Sequence, residues 1–156
     1  MSIWDVPLEK LQSSRLLALR MHVARYVVST GAAQRTVTAL LDEETRVARG
    51  GTLLELLEAA GAQAPNVAIL AAALPKADVL LIGEGGRDAR EVADRWSGRV
   101  AGGEAQVWAI DVDRLAGGRD SRIVESVEAL IRIVIPEALG ANGTPPDEAV
   151  AVRLSS

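Results

Sequence analysis

"LLIGEGGRDAREVADRW", residues 80–96, decides how the rest of the chain is read. An apolar run closes on Gly83-Glu84-Gly85-Gly86. A charged segment follows at once, opened by Asp88 with Glu91 three residues on, the spacing of a helix capping box. The expected result is a buried strand, a glycine turn and a capped helix through about Trp96. A second apolar run, "AQVWAIDVD" (Ala105 to Asp113), comes after that helix, so the order is strand, helix, strand. Such an order implies a right-handed crossover and a parallel sheet.

Upstream of this unit, "NVAILAAAL" (Asn66 to Leu74) is bounded by turn formers and reads as a further buried strand, although its alanines also suit a helix. From Pro7 to Val28, Leu8, Leu11, Leu16, Leu19, Val23, Tyr26 and Val27 recur at three, four and five, with Arg15, Arg20 and Arg25 between them. That pattern predicts an amphipathic helix with Pro7 in its first turn. Over Thr36 to Arg49 two readings compete: "RTVTALL" has β-branched strand content, whereas "AAQRTVTALLDEETRVAR" as a whole has helical spacing, and a helix is the expectation. Gly50-Gly51 then breaks the chain, and Thr52 with Glu55 opens a short helix, Leu53 to Ala60. After the loop "LAGGRD", a helix over Ser121 to Leu139 carries Ile123, Val127, Leu130, Ile131 and Val134, and Pro136 kinks or stops it. "GANGTPP" is a flexible break, beyond which "EAVAVRL" either adds an edge strand or frays. The architecture expected is one Rossmann-like α/β domain over residues 1–156, three layers around a mostly parallel sheet of three to five strands. A helical lead-in covers about 7–60, the α/β section about 66–140 and a flexible tail 141–156.

Composition narrows the chemistry. The 156 residues are 49% apolar and 24% charged with a net charge of -4, which excludes a disordered chain and supplies no overall basic field for nucleic acid. Without cysteine there are no disulfides, thiolate metal sites or cysteine nucleophile. A single histidine, His22, excludes a histidine cluster and a Ser-His-Asp triad, and its place beside the first helix's apolar stripe assigns it to packing or surface. Phe is absent and Tyr occurs once, so the core is aliphatic and stacking platforms for bases are few. "MSIWDVPLEKLQSSR" lacks a signal-peptide layout, and no apolar run reaches the roughly 18 residues of a membrane span, so a cytoplasmic location without a membrane partner is expected.

Ligands of open parallel sheets gather at the carboxyl ends of the strands, and two such ends are visible. At Gly83 to Arg87, the glycines let backbone amides approach an anion, the following helix points its positive end there, and Arg87 adds a charge. The site residues expected for that anion are Gly83, Gly85, Gly86 and Arg87; the simpler alternative is a tight turn, with Gly85 and Gly86 only easing the chain from strand to helix. At "AIDVDRLAGGRD", Asp111 and Asp113 share a face if the strand persists. With Glu84 from the neighbouring strand end they would hold one magnesium ion. Alternatively, Asp111 and Asp113 cap the turn and the next helix, with Arg114 and Arg119 as partners.

Two families share this layout. "KADVLLIGEGGRDAREVADRW...AQVWAID" resembles the middle of sugar isomerase (SIS) domains, in which a helical lead-in precedes a Rossmann-like sheet and the turn binds a sugar phosphate. The SIS turn is rich in serine and threonine, whereas here it is Gly83-Glu84-Gly85-Gly86-Arg87-Asp88. Glu84-Gly85 with Asp88-Ala89, and Asp111-Val112-Asp113 followed by Arg114, Ala116 and Gly117, also resemble the two motifs of Toprim domains, the magnesium-dependent module of primases, topoisomerases and small nucleases. That resemblance implies Glu84 as the acid/base or metal-linked carboxylate and Asp111 and Asp113 as magnesium holders. The leading expectation is an SIS-like domain that binds a phosphorylated small molecule or a protein partner, with catalysis left open. A Toprim-like phosphotransfer or nuclease module comes second and a catalytically silent oligomer third. The first helix carries more apolar surface than a helix beside a small sheet requires, so a homo-oligomer through 7–28 is also expected.

Overall fold

The computed structural model of the chain describes residues 10–32, 34–70, 75–99, 105–117, 122–140 and 145–154. The run that closes on Gly83 is strand β3 (Val79–Gly83), every residue of it buried. Helix α3 (Ala89–Trp96) follows the turn, its first amides capped by Asp88, which accepts from the Glu91 amide at 2.8 Å. Strand β4 (Gln106–Ile110) comes next and pairs parallel to β3, with Leu81 beside Trp108.

Upstream, the helix expected over Thr36 to Arg49 is corrected. Thr36–Leu41 is strand β1, hydrogen-bonded on both edges, to β2 (Gln63–Ile69) and to β3, both parallel. A central parallel strand is buried on both faces and reads as a continuous apolar run, so "VTALL" lacks the alternation that would separate it from a helix. Asp42 turns the chain, accepting the Thr45 amide at 3.2 Å, and α2 begins at Glu43.

Helix α2 (Glu43–Ala59) then passes through Gly50-Gly51, which do not break it, and Thr52 lies inside the helix rather than capping a new one. Gly50 faces β2: a Cβ there would come 3.3 Å from Val67 Cγ1. Close helix-to-strand approach therefore offsets the roughly 1 kcal/mol that a helical glycine costs. β2 is the sheet's edge, which is where Pro65 does least harm to a ladder. The alanine-rich 71–74 lie outside the described residues.

The tail expected to be flexible contributes β5 (Ala151–Arg153), antiparallel to β4, with Trp108 opposite Arg153. The sheet order is β2-β1-β3-β4-β5. Movement from β1 to β2 and from β3 to β4 runs in opposite directions, so right-handed crossovers place α2 and α3 on opposite faces. The packing agrees. Leu81, Trp108 and Ile110 on one face belong to the core that holds Leu53 and Leu57 of α2, whereas Leu80, Ile82 and Ala109 on the other pack with Val92 of α3. The fold is thus Rossmann-like, with three layers and a mostly parallel five-stranded sheet.

The larger core also takes α4 (Val112–Ala116), α5 (Ile123–Val134) and α1 (Lys10–Thr30). Ile135 ends α5 just before Pro136, and a 3-10 turn, Pro136–Leu139, follows. The α1 stripe of Leu16 and Val23, with Leu19, Tyr26 and Val27 beside them, faces this core. His22 Nε2 meets the Ala138 carbonyl, tying α1 to the 3-10 turn. On the outer side Leu17, Met21 and Val28 are exposed. Among the described residues no helix is long and apolar enough to cross a membrane.

Candidate functional site

The order β2-β1-β3-β4-β5 reverses direction between β1 and β3, the switch point where doubly wound sheets open a crevice beyond their strand ends. Here the crevice is closed by the chain itself. Asp42, just past β1, uses Oδ2 for the Thr45 amide and Oδ1 for the Gly85 amide at 3.0 Å. Asp113 reaches back from α4 and takes the Gly86 amide on Oδ2 at 2.8 Å, while the Arg87 amide donates to the Glu84 carbonyl at 3.3 Å.

The amides of Gly85, Gly86 and Arg87, expected to face an anion, therefore already donate within the protein. Gly83 serves packing: a Cβ would lie 3.0 Å from Leu41 Cδ2 and 3.2 Å from Val112 Cβ. Gly86 holds a φ of +76°, which favours glycine. The Arg87 guanidinium lies 3.9 Å from Glu84 Oε2.

Nor do the three carboxylates expected around magnesium gather. β4 ends at Ile110, so Asp111 and Asp113 do not share a strand face. Asp111 caps α4, taking the Arg114 amide at 3.0 Å, and Asp113 sits in the first turn of that helix. Glu84 turns the other way, accepting from Arg95 Nε and Trp96 Nε1 of α3, each at 2.9 Å. Among the described residues no group of three or more carboxylate or histidine side chains is placed to hold a metal. Capping, the plainer reading of the aspartates, matches these bonds. Arg119 lies outside the described residues, and Asp113's arginine partner is Arg49, whose Nε is 3.4 Å away.

Two aspartates in the same role, each past a strand and capping a helix, differ in electrostatics. Burial pushes the Asp42 carboxyl up, but the Thr45 hydroxyl and the Gly85 and Thr45 amides together outweigh it and hold the group below its ordinary range. Burial also pushes Asp111 up, and there the Arg114 amide and charge do not overcome it, since Asp113 and Asp88 add repulsion. Asp42 therefore adds stability above the ordinary carboxylate pKa, lost as pH falls through its lowered value. Asp111 is costly when ionised, and that cost disappears as pH falls from its raised value towards the ordinary one. Asp111→Asn keeps a cap-forming side chain and is expected to match or exceed the parent in thermal melts at pH 7, the difference closing below about pH 4. Asp42→Asn, which loses one acceptor, should cost about 1 kcal/mol at pH 7.

Beside the closed switch point lies an open cleft of about 270 Å³ between α2, α4 and the start of α5. Arg49, Arg114 and Arg122 line it with Thr52, and among the described residues Asp113 is its one carboxylate. Neither the Arg114 nor the Arg122 guanidinium makes a hydrogen bond or ion pair among the described residues. Such a cleft can take an anion by charge and by the forked donors of arginine. Sequence reasoning missed Asp42, Arg49 and Arg122 as site residues. Arg49 was hidden inside an expected helix, and no spacing rule links residues 49, 114 and 122. No protein-family model, curated protein or solved structure was found to match the chain.

Proposed function

We propose that this chain binds a small anionic molecule, phosphorylated or carboxylated, in the cleft formed by Arg49, Arg114 and Arg122. The observation that carries the reading is that, among the described residues, three guanidiniums and one carboxylate, that of Asp113, line a single cavity beside α4, the helix that follows β4. Position supports it too, since α/β sheets place ligands beyond their strand ends. This cleft is not the SIS-like site expected at the Gly83 to Arg87 turn, since none of that turn's residues lines it and its donors are arginine side chains. Thr52 adds a hydroxyl within the same cavity. Calorimetric titration with inorganic phosphate, sugar phosphates, nucleotides and small carboxylates is the test. At least one should bind, more weakly as salt rises, and Arg49→Ala or Arg114→Ala should each weaken it about 10- to 100-fold. No binding across the panel by the unmodified protein overturns the proposal.

Association along α1 is a second reading with its own observation. The expected oligomer used the stripe that contains Leu16, which is buried in the chain's own core, so the surface moves to the outer side. There Leu17, Met21 and Val28 are 54%, 44% and 84% exposed and, with Ala24, are spaced four, three and four apart, the interval of a helix-pairing seam. Light scattering should then report a multimer that Leu17→Glu reduces to monomer.

A further inference from the structure

A second cavity, of about 250 Å³, shares Arg114, Leu115 and Arg122 with the first and is lined otherwise by α5 and the segment leading into β5. Its charge is unlike that of the first cleft. Arg114, Arg122 and Arg132 supply positive charge and Glu125, Glu128 and Asp147 negative charge, Arg132 and Glu128 being paired with each other at 3.2 Å, and Leu115 gives an apolar surface. The Glu125 carboxylate forms no ion pair among the described residues. Asp147 Oδ1 takes the Ala149 amide at 2.9 Å, leaving its other oxygen for a further donor.

The observation that turns this wall into a site is Ser126. It is one of three buried polar residues among those described, only 4% exposed, and it lines the cavity. Its hydroxyl makes no hydrogen bond among the described residues. Buried hydroxyls are nearly always satisfied, and leaving one without a partner costs about 1–3 kcal/mol. A group that enters the cavity and bonds the hydroxyl accounts for its position.

We infer that this cavity binds a small zwitterion of the free amino-acid class. Its carboxylate meets Arg114, Arg122 and the Ser126 hydroxyl, and its ammonium meets Glu125 and Asp147. Arg132 and Glu128 answer each other, but a simple anion leaves Glu125 unanswered and a simple cation leaves Arg114 and Arg122 unanswered. A molecule with both charges on a short skeleton satisfies these groups and Ser126 together, with an apolar substituent against Leu115. The inference shares Arg114 and Arg122 with the proposed anion cleft and rests on that reading only to this extent.

The test is calorimetric titration of the full chain with leucine, N-acetylleucine and leucinamide, which present both charges, the carboxylate alone and the ammonium alone. Leucine should bind at least tenfold more tightly than either derivative. Glu125→Gln should remove at least tenfold of that affinity and leave phosphate binding unchanged, whereas Arg49→Ala should do the reverse. Ser126→Ala, which removes an unsatisfied hydroxyl, should weaken leucine several-fold without lowering the melting temperature. Equal affinity for the three probes, no leucine binding, or a Glu125→Gln protein that binds leucine as the parent does would overturn the inference. Phosphate binding lost in Arg49→Ala, with no leucine binding by the parent, sinks the zwitterion site and keeps the anion cleft. Leucine binding that depends on Glu125, with no anion of the panel bound, does the opposite.

Discussion

Leu16→Glu is expected to destroy the folded state or strip α1 from the domain. Leu16 is 1% exposed and belongs to the same apolar core as Leu53, Leu130 and Ile131. Burying a lone charge in an apolar core costs more than most domains can spare, and even a neutralised acid there leaves unsatisfied polar atoms. A loss above about 3 kcal/mol should follow, read as a collapse of the urea midpoint followed by circular dichroism. One residue on, Leu17 is exposed, and at protein concentrations low enough for the parent to be monomeric Leu17→Glu should stay within about 0.5 kcal/mol of it. Equal midpoints for the two variants would mean that α1 does not pack on the core as described.

Gly85→Val should have the second-largest effect, through the fold rather than through a ligand. A Cβ at position 85 runs into Thr45 Oγ1, and Thr45 is itself buried at the start of α2. Retreat of the turn is opposed on both sides, because the Gly85 amide is held by Asp42 at 3.0 Å and the Gly86 amide by Asp113 at 2.8 Å. Overpacking together with the loss of these bonds should cost about 2–3 kcal/mol. Gly86→Ala meets no atom within 4 Å and suffers only its φ of +76°, so a smaller loss of about 1 kcal/mol is expected. Thermal melts that rank Gly86→Ala below Gly85→Val would overturn this account of the turn.

Legibility followed the range of the interactions involved. The strand, turn and capped helix over residues 79–96 were readable because each signal is local: an apolar run for β3, glycines for the turn, and Asp88 with Glu91 for the cap. Strand β5 was readable as one of two alternatives. Thr36–Leu41 also had a strand reading, but the helix was preferred, since a run buried on both faces carries no period and only the pairing of β1 with β2 and β3 decides it. Gly50-Gly51 were misread for a similar reason. Glycine breaks an isolated helix, but here the missing Cβ admits Val67 of the neighbouring strand.

The candidate site divides the same way. Sequence alone determined that the chain forms an α/β sheet with a glycine turn at one strand end and paired aspartates at another, because alternation, capping and turn chemistry act within a few residues. Tertiary structure alone decided what those groups touch. Asp42 and Asp113, 71 positions apart in the numbering, close over the two glycine amides, Glu84 swings to Arg95 and Trp96, and Arg49, Arg114 and Arg122 meet around a cleft. A hydrogen-bond donor takes whichever acceptor the packing of distant elements brings within about 3 Å, and no local pattern records that choice.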